Sequence, residues 1–181
     1  MPRDFVDRLH WFVLLASVAG LAGLFALTGV RSGEATPSAG LGKTLERQIA
    51  YQARSALLQQ LYGPVEALRA QGKPEQALLE LDALARAYPG EAHGHILKGE
   101  ILHGMGALEE ATASYVAGIR LNGDYVDRKS PLTRRPAIQQ LVEEGLASLG
   151  PKAADHPDNA SFAAALKNLR YLQSRLAGGC E

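Results

Sequence analysis

The chain repeats one pattern at a spacing of thirty-four residues. The segment "RAQGKPEQALLELDALARAYPG" begins at Arg69, and "HGMGALEEATASYVAGIRLNGD" begins at His103. A hairpin of two short helices cannot bury its apolar face alone, so a repeat of this length is typical of stacked helical hairpins. The repeat therefore predicts an all-α domain. Identical residues occupy equivalent positions in the two copies: Leu68/Leu102, Gly72/Gly106, Glu75/Glu109, Ala77/Ala111, Ala83/Ala117 and Arg86/Arg120.

The two copies, at about 58–91 and 92–125, resemble the tetratricopeptide repeat (TPR). Small or apolar residues occupy the positions of the family pattern, including its turn glycines and the closing proline Pro89: Val65, Gly72, Ala77, Leu81, Ala87 and Pro89 in the first copy, then Gly99, Gly106, Ala111, Tyr115 and Leu121 in the second. The resemblance implies a short superhelix of helical hairpins closed by capping helices. Four residues depart from the family pattern: Leu61 and His95 at the usual aromatic position, Pro64 inside a helix, and Gly123 at the second closing proline.

Helical spacing extends over most of 44–181, which we predict to be one TPR-like domain without strands. A first helix is predicted from Thr44 to Tyr62 and ends at Gly63-Pro64, with a short helix from Pro64 to Ala70. The repeat helices follow at 74–88, 92–105 and 108–121. Two C-terminal helices are predicted at 136–149, ended by Gly150-Pro151, and at 160–176, capped by Asn159.

The N-terminal region predicts a transmembrane helix at 11–30, after a flank at 1–10. The segment "WFVLLASVAGLAGLFALTGV" has no charge over about 30 Å of helix, which matches one hydrocarbon core. A buried core helix and a cleaved signal peptide are the alternatives, but the segment is long for both and the following residues offer a poor cleavage site. Four small residues could let another helix approach closely, although such residues are common in spans: Ala16, Ala19, Gly20 and Gly23.

The next residues, 31–43, mix Gly, Ser, Pro and Ala and predict a flexible linker. A linker of this length spans roughly 20 Å, so the helical domain would stay close to the bilayer. Basic residues on both sides of the predicted span discriminate its orientation poorly. Because short N-terminal flanks usually stay in the cytoplasm, we expect a single-pass inner membrane protein with a periplasmic C-terminal domain.

The TPR resemblance implies a concave groove lined by the first helix of each hairpin. Carried onto this chain, the partner-binding positions are Gln59, Tyr62, Glu66, Arg69, His93, Ile96, Glu100 and His103. Tyr62 and Ile96 would offer apolar contacts and the others hydrogen bonds, which suits an extended peptide or a partner helix. The set does not resemble a carboxylate clamp, which needs several lysines, arginines and asparagines at these positions. The alternative is that the first helix covers positions 59–69 and leaves no groove there.

Residue patterns for catalysis or metal binding are lacking. No nucleophile-elbow, zinc-protease, Walker or dinucleotide motif occurs, and we expect no enzyme activity, cofactor or metal. His93 and His95 point to different faces of one helix, and His95 and His103 are about 12 Å apart along the axis. With nineteen basic and nineteen acidic residues, no global field attracts nucleic acid.

One loop is locally basic, through Arg128, Lys129, Arg134 and Arg135. It could face anionic lipid or an acidic partner, or be a solvated loop whose charge is balanced by Asp124 and Asp127.

Together these features predict a non-enzymatic, membrane-anchored TPR scaffold that binds another protein near the bilayer. In architecture it is similar to bacterial envelope assembly factors, such as the TPR arms of cytochrome c maturation or translocon-associated proteins. The alternative is a permanent structural subunit of a membrane complex, with the transmembrane helix packed against a helix of that complex.

Overall fold

The computed structural model describes the backbone of residues 38–178 and the side chains of residues 42–178. The chain divides into two compact units, Met1–Gln48 and Ile49–Glu181, with the boundary inside the first helix. Of the first unit, only the initial turns of that helix are described. The predicted transmembrane helix at 11–30 lies outside the described residues, and none of the described helices is both long and apolar enough to cross a membrane.

The described residues form α-helices and one short 3₁₀ helix, without strands, which confirms the all-α prediction for this part of the chain. The helices are α1 (Ser38–Ala70), α2 (Pro74–Ala87), α3 (Ala92–Gly104), α4 (Leu108–Leu121), α5 (Arg135–Asp155) and α6 (Ala160–Leu176), with the 3₁₀ helix at Gly123–Tyr125.

Two predicted helix ends are wrong. Helix α1 continues through Gly63 and Pro64 to Ala70, and α5 continues through Pro151 to Asp155. A proline ring clashes with the Cβ and backbone N–H of the residue before it, and this disfavours helical backbone angles there. The residue before Pro64 is Gly63, which has no Cβ, so part of this clash is absent. The buried residues Leu58, Tyr62 and Val65 lie on both sides of the proline, so packing holds the helix together across it.

The predicted linker at 31–43 overlaps α1 at residues 38–43, where the structure is helical instead. Its other residues, 31–37, lie outside the described part. Gly40 and Gly42 do not prevent the helix, because a glycine costs only about 1 kcal/mol relative to alanine and keeps its backbone N–H.

The turns of the two repeated hairpins have the same geometry. Gly72 and Gly106 both take positive φ, 71° and 78°, which glycine adopts without steric cost. At each turn the glycine and the residue after it donate the two backbone hydrogen bonds of a Schellman motif. The equivalent bonds are Gly72 N–H to Arg69 O and Lys73 N–H to Leu68 O at 3.0 Å each, and Gly106 N–H to His103 O and Ala107 N–H to Leu102 O at 2.9 Å each.

Within the second hairpin, α3 and α4 pack closely because glycines face large side chains. A Cβ at Gly99 would come within 2.7 Å of the Tyr115 ring, and a Cβ at Gly118 within 2.7 Å of Ile96 Cδ1. Ala77 and Ala111, the equivalent alanines of α2 and α4, both have no exposed surface. Small residues therefore lie at the helix contacts, as the sequence predicts.

The C-terminal helices complete the core. Helix α6 packs against both α5 and α4. The Arg120 guanidinium of α4 lies 5.2 Å from the centre of the Tyr171 ring of α6. Asn159 caps α6 as predicted, because its side chain accepts a hydrogen bond from Ser161 N–H at 2.9 Å.

Candidate functional site

A cavity of about 450 Å³ lies between α1 and the loop that follows the 3₁₀ helix. Gln59, Tyr62 and Glu66 reach it together because spacings of three and four residues place side chains on one helix face. His93, at the start of α3, also lines the cavity. The cavity therefore brings together four of the eight predicted groove residues. Its remaining lining is Ser55, Leu58, Gly63, Pro131, Leu132 and Arg134.

Two of the buried residues that line the cavity are aromatic. Tyr62 is 2% exposed and His93 7%, and their ring centres lie 5.0 Å apart at an edge-on angle of 63°. On its other side His93 Nδ1 lies 2.9 Å from the Tyr125 hydroxyl oxygen. Gln59 and Glu66 are exposed, so they stand at the mouth. The cavity thus combines an apolar floor with hydrogen-bonding groups at its edge.

Burial keeps this floor uncharged. It lowers the pKa of His93 to about 4, and the positive charges of Arg134 and Arg54 act in the same direction. Burial also raises the pKa of Tyr62 to about 12, with the Glu91 carboxylate contributing, and it raises the pKa of Tyr125. At neutral pH the imidazole is neutral, and the Tyr125 hydroxyl can donate to Nδ1 when the ring proton is on Nε2.

Beside the cavity, a charged cluster joins α1, α3 and the loop. Glu100 accepts a hydrogen bond from Arg69 at 2.6 Å and forms an ion pair with Arg134 at 3.1 Å, while a Glu66 carboxylate oxygen lies 3.5 Å from the Arg69 guanidinium. The Glu100 side chain is only 10% exposed, so two guanidinium groups compensate a largely buried carboxylate. Two more predicted groove residues, Arg69 and Glu100, therefore serve to hold the cavity walls together.

The last two predicted groove residues lie elsewhere. Ile96 is fully buried against α4, so the expectation that it offers an apolar contact to a partner does not fit its position. His103 faces α5, where its Nε2 lies 2.7 Å from a Glu144 carboxylate oxygen. The pKa of Glu144 is lowered by hydrogen bonds from Gln140 and His103.

The loop at 131–134 was not among the predicted site residues. Its position depends on the Arg134 N–H bond to Tyr125 O at 2.8 Å and on the Ser130 hydroxyl, which accepts from Leu132 N–H at 3.1 Å. Neither bond leaves a periodic pattern in the sequence. Ser55 and Leu58, in contrast, lie one turn before Gln59 and Tyr62, and their helical spacing is a usable signal.

No protein-family model matches the chain, and the searches of curated proteins and of solved structures gave no match. Among the described residues, no three His, Cys, Asp or Glu side chains are grouped so that they could hold a metal ion.

Proposed function

We propose that this protein is a non-enzymatic, membrane-anchored scaffold of the TPR type, which holds a segment of another protein in the cavity between α1 and the loop at 131–134. The observation that carries the proposal is the lining of this cavity by Gln59, Tyr62, Glu66 and His93. These are the positions at which TPR proteins contact their partners.

The chemistry of the cavity suits a polypeptide segment. An apolar side chain of the partner can occupy the floor beside Tyr62, where it replaces water on an aromatic surface. Gln59 offers an amide donor and acceptor at the mouth, and Glu66 offers a carboxylate acceptor, for the partner's backbone or polar side chains. A volume of about 450 Å³ accommodates one or two side chains of a partner.

The proposed membrane location of this activity rests on the N-terminal sequence. In the proposal, residues 11–30 form the anchor, and the helical domain lies on the periplasmic side of the inner membrane. The small residues Ala16, Ala19, Gly20 and Gly23 provide a surface for a partner transmembrane helix. We expect the full chain to resist extraction from membranes by alkaline carbonate. We also expect protease to reach the helical domain only from the periplasmic side.

The cavity is tested by site-specific photocrosslinking in native membranes. A photoreactive amino acid at Gln59 should give a discrete adduct with one partner protein, because this side chain is exposed at the cavity mouth. The matched control is Gln76, an exposed glutamine on α2 that does not line the cavity. The same adducts from both positions, or none from Gln59, would contradict the proposal.

Purification in mild detergent separates the proposed scaffold from the alternative, a permanent structural subunit. A scaffold that acts in assembly releases its partner, so the crosslinked protein should co-purify in small and variable amounts without crosslinking. Co-elution at fixed stoichiometry would instead favour the permanent subunit.

A further inference from the structure

A second cavity, of about 510 Å³, lies where the loop after the 3₁₀ helix meets the start of α5 and the end of α6. Three separate segments bring basic side chains to it: Arg128 and Lys129 from the loop, Arg135 from α5 and Arg175 from α6. Asp127 is the acidic residue of the lining. The cavity therefore carries a strong excess of positive charge.

The two aspartates described near this cavity are fewer than the basic side chains of its lining. Asp127 Oδ1 accepts a hydrogen bond from the Lys129 backbone N–H at 2.9 Å, and Asp124 accepts from the Tyr51 hydroxyl at 3.4 Å. Within residues 42–178, no carboxylate forms an ion pair with Arg128, Lys129 or Arg135. Asp124 and Asp127 keep their charges and offset part of the loop's positive charge, without ion pairs to Arg128, Lys129 or Arg135 among these residues.

Arg135 is held in place by neutral groups. Its guanidinium donates to Val126 O at 3.2 Å and to Leu176 O at the C-terminal end of α6. These carbonyls fix the side chain and favour a cation there, since a helix C-terminus carries partial negative charge. They do not remove its charge, and a guanidinium with five N–H donors keeps others for a ligand.

We propose that this basic cavity binds a phosphate group. A phosphate carries up to two negative charges and several strong acceptor oxygens, which suits convergent cations better than a single carboxylate does. Arginine in particular matches phosphate geometry through two parallel N–H bonds. The group can come from the headgroup of an anionic phospholipid or from a free phosphate. The site is separate from the partner cavity and does not depend on its function.

The experiment uses the full chain in uncharged detergent micelles at constant ionic strength. Backbone amide NMR shifts of residues 123–135 are followed in two titrations, one with inorganic phosphate and one with phosphatidylglycerol added to the micelles. Phosphatidylcholine, which has no net charge, is the reference lipid. A saturable shift with inorganic phosphate identifies a free phosphate site, and one with phosphatidylglycerol alone identifies a headgroup site; both support the proposal.

The variant Arg128→Gln/Lys129→Gln removes two exposed cations that line the cavity, and binding should weaken about tenfold. The control variant Arg86→Gln/Lys167→Gln removes the same charge at exposed positions outside the cavity and should leave binding unchanged. The proposal is overturned by no saturable shift in either titration, by equal weakening in both variants, or by equally tight saturation with polyglutamate, which would identify an acidic polypeptide as the ligand.

Discussion

At the scale of single residues, His93 is the most consequential side chain of the cavity between α1 and the loop at 131–134. It lies between the rings of Tyr62 and Tyr125, and both neighbouring phenols stay protonated at neutral pH. A proton on His93 would place an uncompensated charge among them, with the positive charges of Arg54 and Arg134 nearby. The imidazole therefore acts as a neutral hydrogen-bonding group of the core.

This burial predicts a loss of stability in mild acid. The pKa of His93 is about 4 in the folded protein against an ordinary value of 6.5. As pH falls below about 6.5 the unfolded chain binds a proton that the folded chain does not bind until about pH 4, so the free energy of unfolding decreases through this window. The decrease from His93 should reach up to about 3 kcal/mol, measured by denaturant unfolding of the full chain in uncharged detergent.

The control for the pH effect is a comparison of His93→Asn with His156→Asn. Asparagine keeps a polar atom near the position of Nδ1 but does not titrate, so His93→Asn should flatten the dependence of stability on pH. His156 is exposed, and its replacement should leave the dependence unchanged. An identical pH dependence in all three proteins would show that His93 is not the responsible group.

Single residues are also where sequence and structure agree best. The repeat pairs Gly72 with Gly106 and Ala77 with Ala111, and the structure gives each pair the same backbone or burial. These matches depend on short-range requirements. A Schellman turn needs a left-handed residue, and a close helix crossing needs a small one. Such requirements leave a direct trace in a repeated sequence.

At the scale of helices, local signals predict some boundaries and fail at others. The bounds of α4 and α6 agree with the sequence analysis, because each helix begins after a loop and its apolar residues follow one period. In α1 and α5 the Gly-Pro pairs look like ends but lie inside the helix. Buried residues on both sides of Pro64 offset the lost bond, and a proline motif cannot reveal that packing.

The continuous α1 predicts that Pro64→Ala stabilises the protein. The proline has no N–H for the Gln60 carbonyl and is exposed, so alanine would restore a helix bond without removing a buried contact. A proline inside a helix costs about 3 kcal/mol, partly offset by its restriction of the unfolded chain. We expect the free energy of unfolding to rise by about 1–2 kcal/mol in denaturant titrations followed by circular dichroism.

Pro74→Ala is the matched control for Pro64→Ala. Pro74 occupies the first turn of α2, where the backbone N–H has no partner within the helix, so a proline there removes no helical hydrogen bond. Its replacement should be neutral or destabilising by less than about 1 kcal/mol. If Pro64→Ala behaved like Pro74→Ala, α1 would not be a continuous helix through residue 64.

At the scale of the whole molecule, the cavity between α1 and the loop at 131–134 shows which site residues the sequence analysis could not predict. Gln59, Tyr62, Glu66 and His93 follow from helix periodicity together with the TPR resemblance. The loop at 131–134 does not, because it is positioned by single hydrogen bonds from distant elements. The same loop brings Arg134 to Glu100 and so ties down residues that were expected to contact a partner.

Because α6 packs on α4 and α5, we expect the C-terminal helices to stabilise the second hairpin, α3–α4, as a cap. Leu169 of α6 is fully buried, and a Cβ at Gly145 would come within 2.7 Å of its Cδ2. Leu169→Ala should therefore lower the free energy of unfolding by about 2–5 kcal/mol. Because stacked helical hairpins stabilise one another, backbone amide hydrogen exchange in α3 and α4 should also become faster in this variant.

Leu121→Ala is the control for the cap, because Leu121 is 50% exposed at the end of α4. This variant should change stability by less than about 0.5 kcal/mol. The decisive readout is amide exchange resolved by helix, with both variants compared to the parent protein. If Leu169→Ala opened only α5 and α6 and left exchange in α3 and α4 unchanged, the second hairpin would be stable without its neighbour, and the C-terminal helices would not act as a cap.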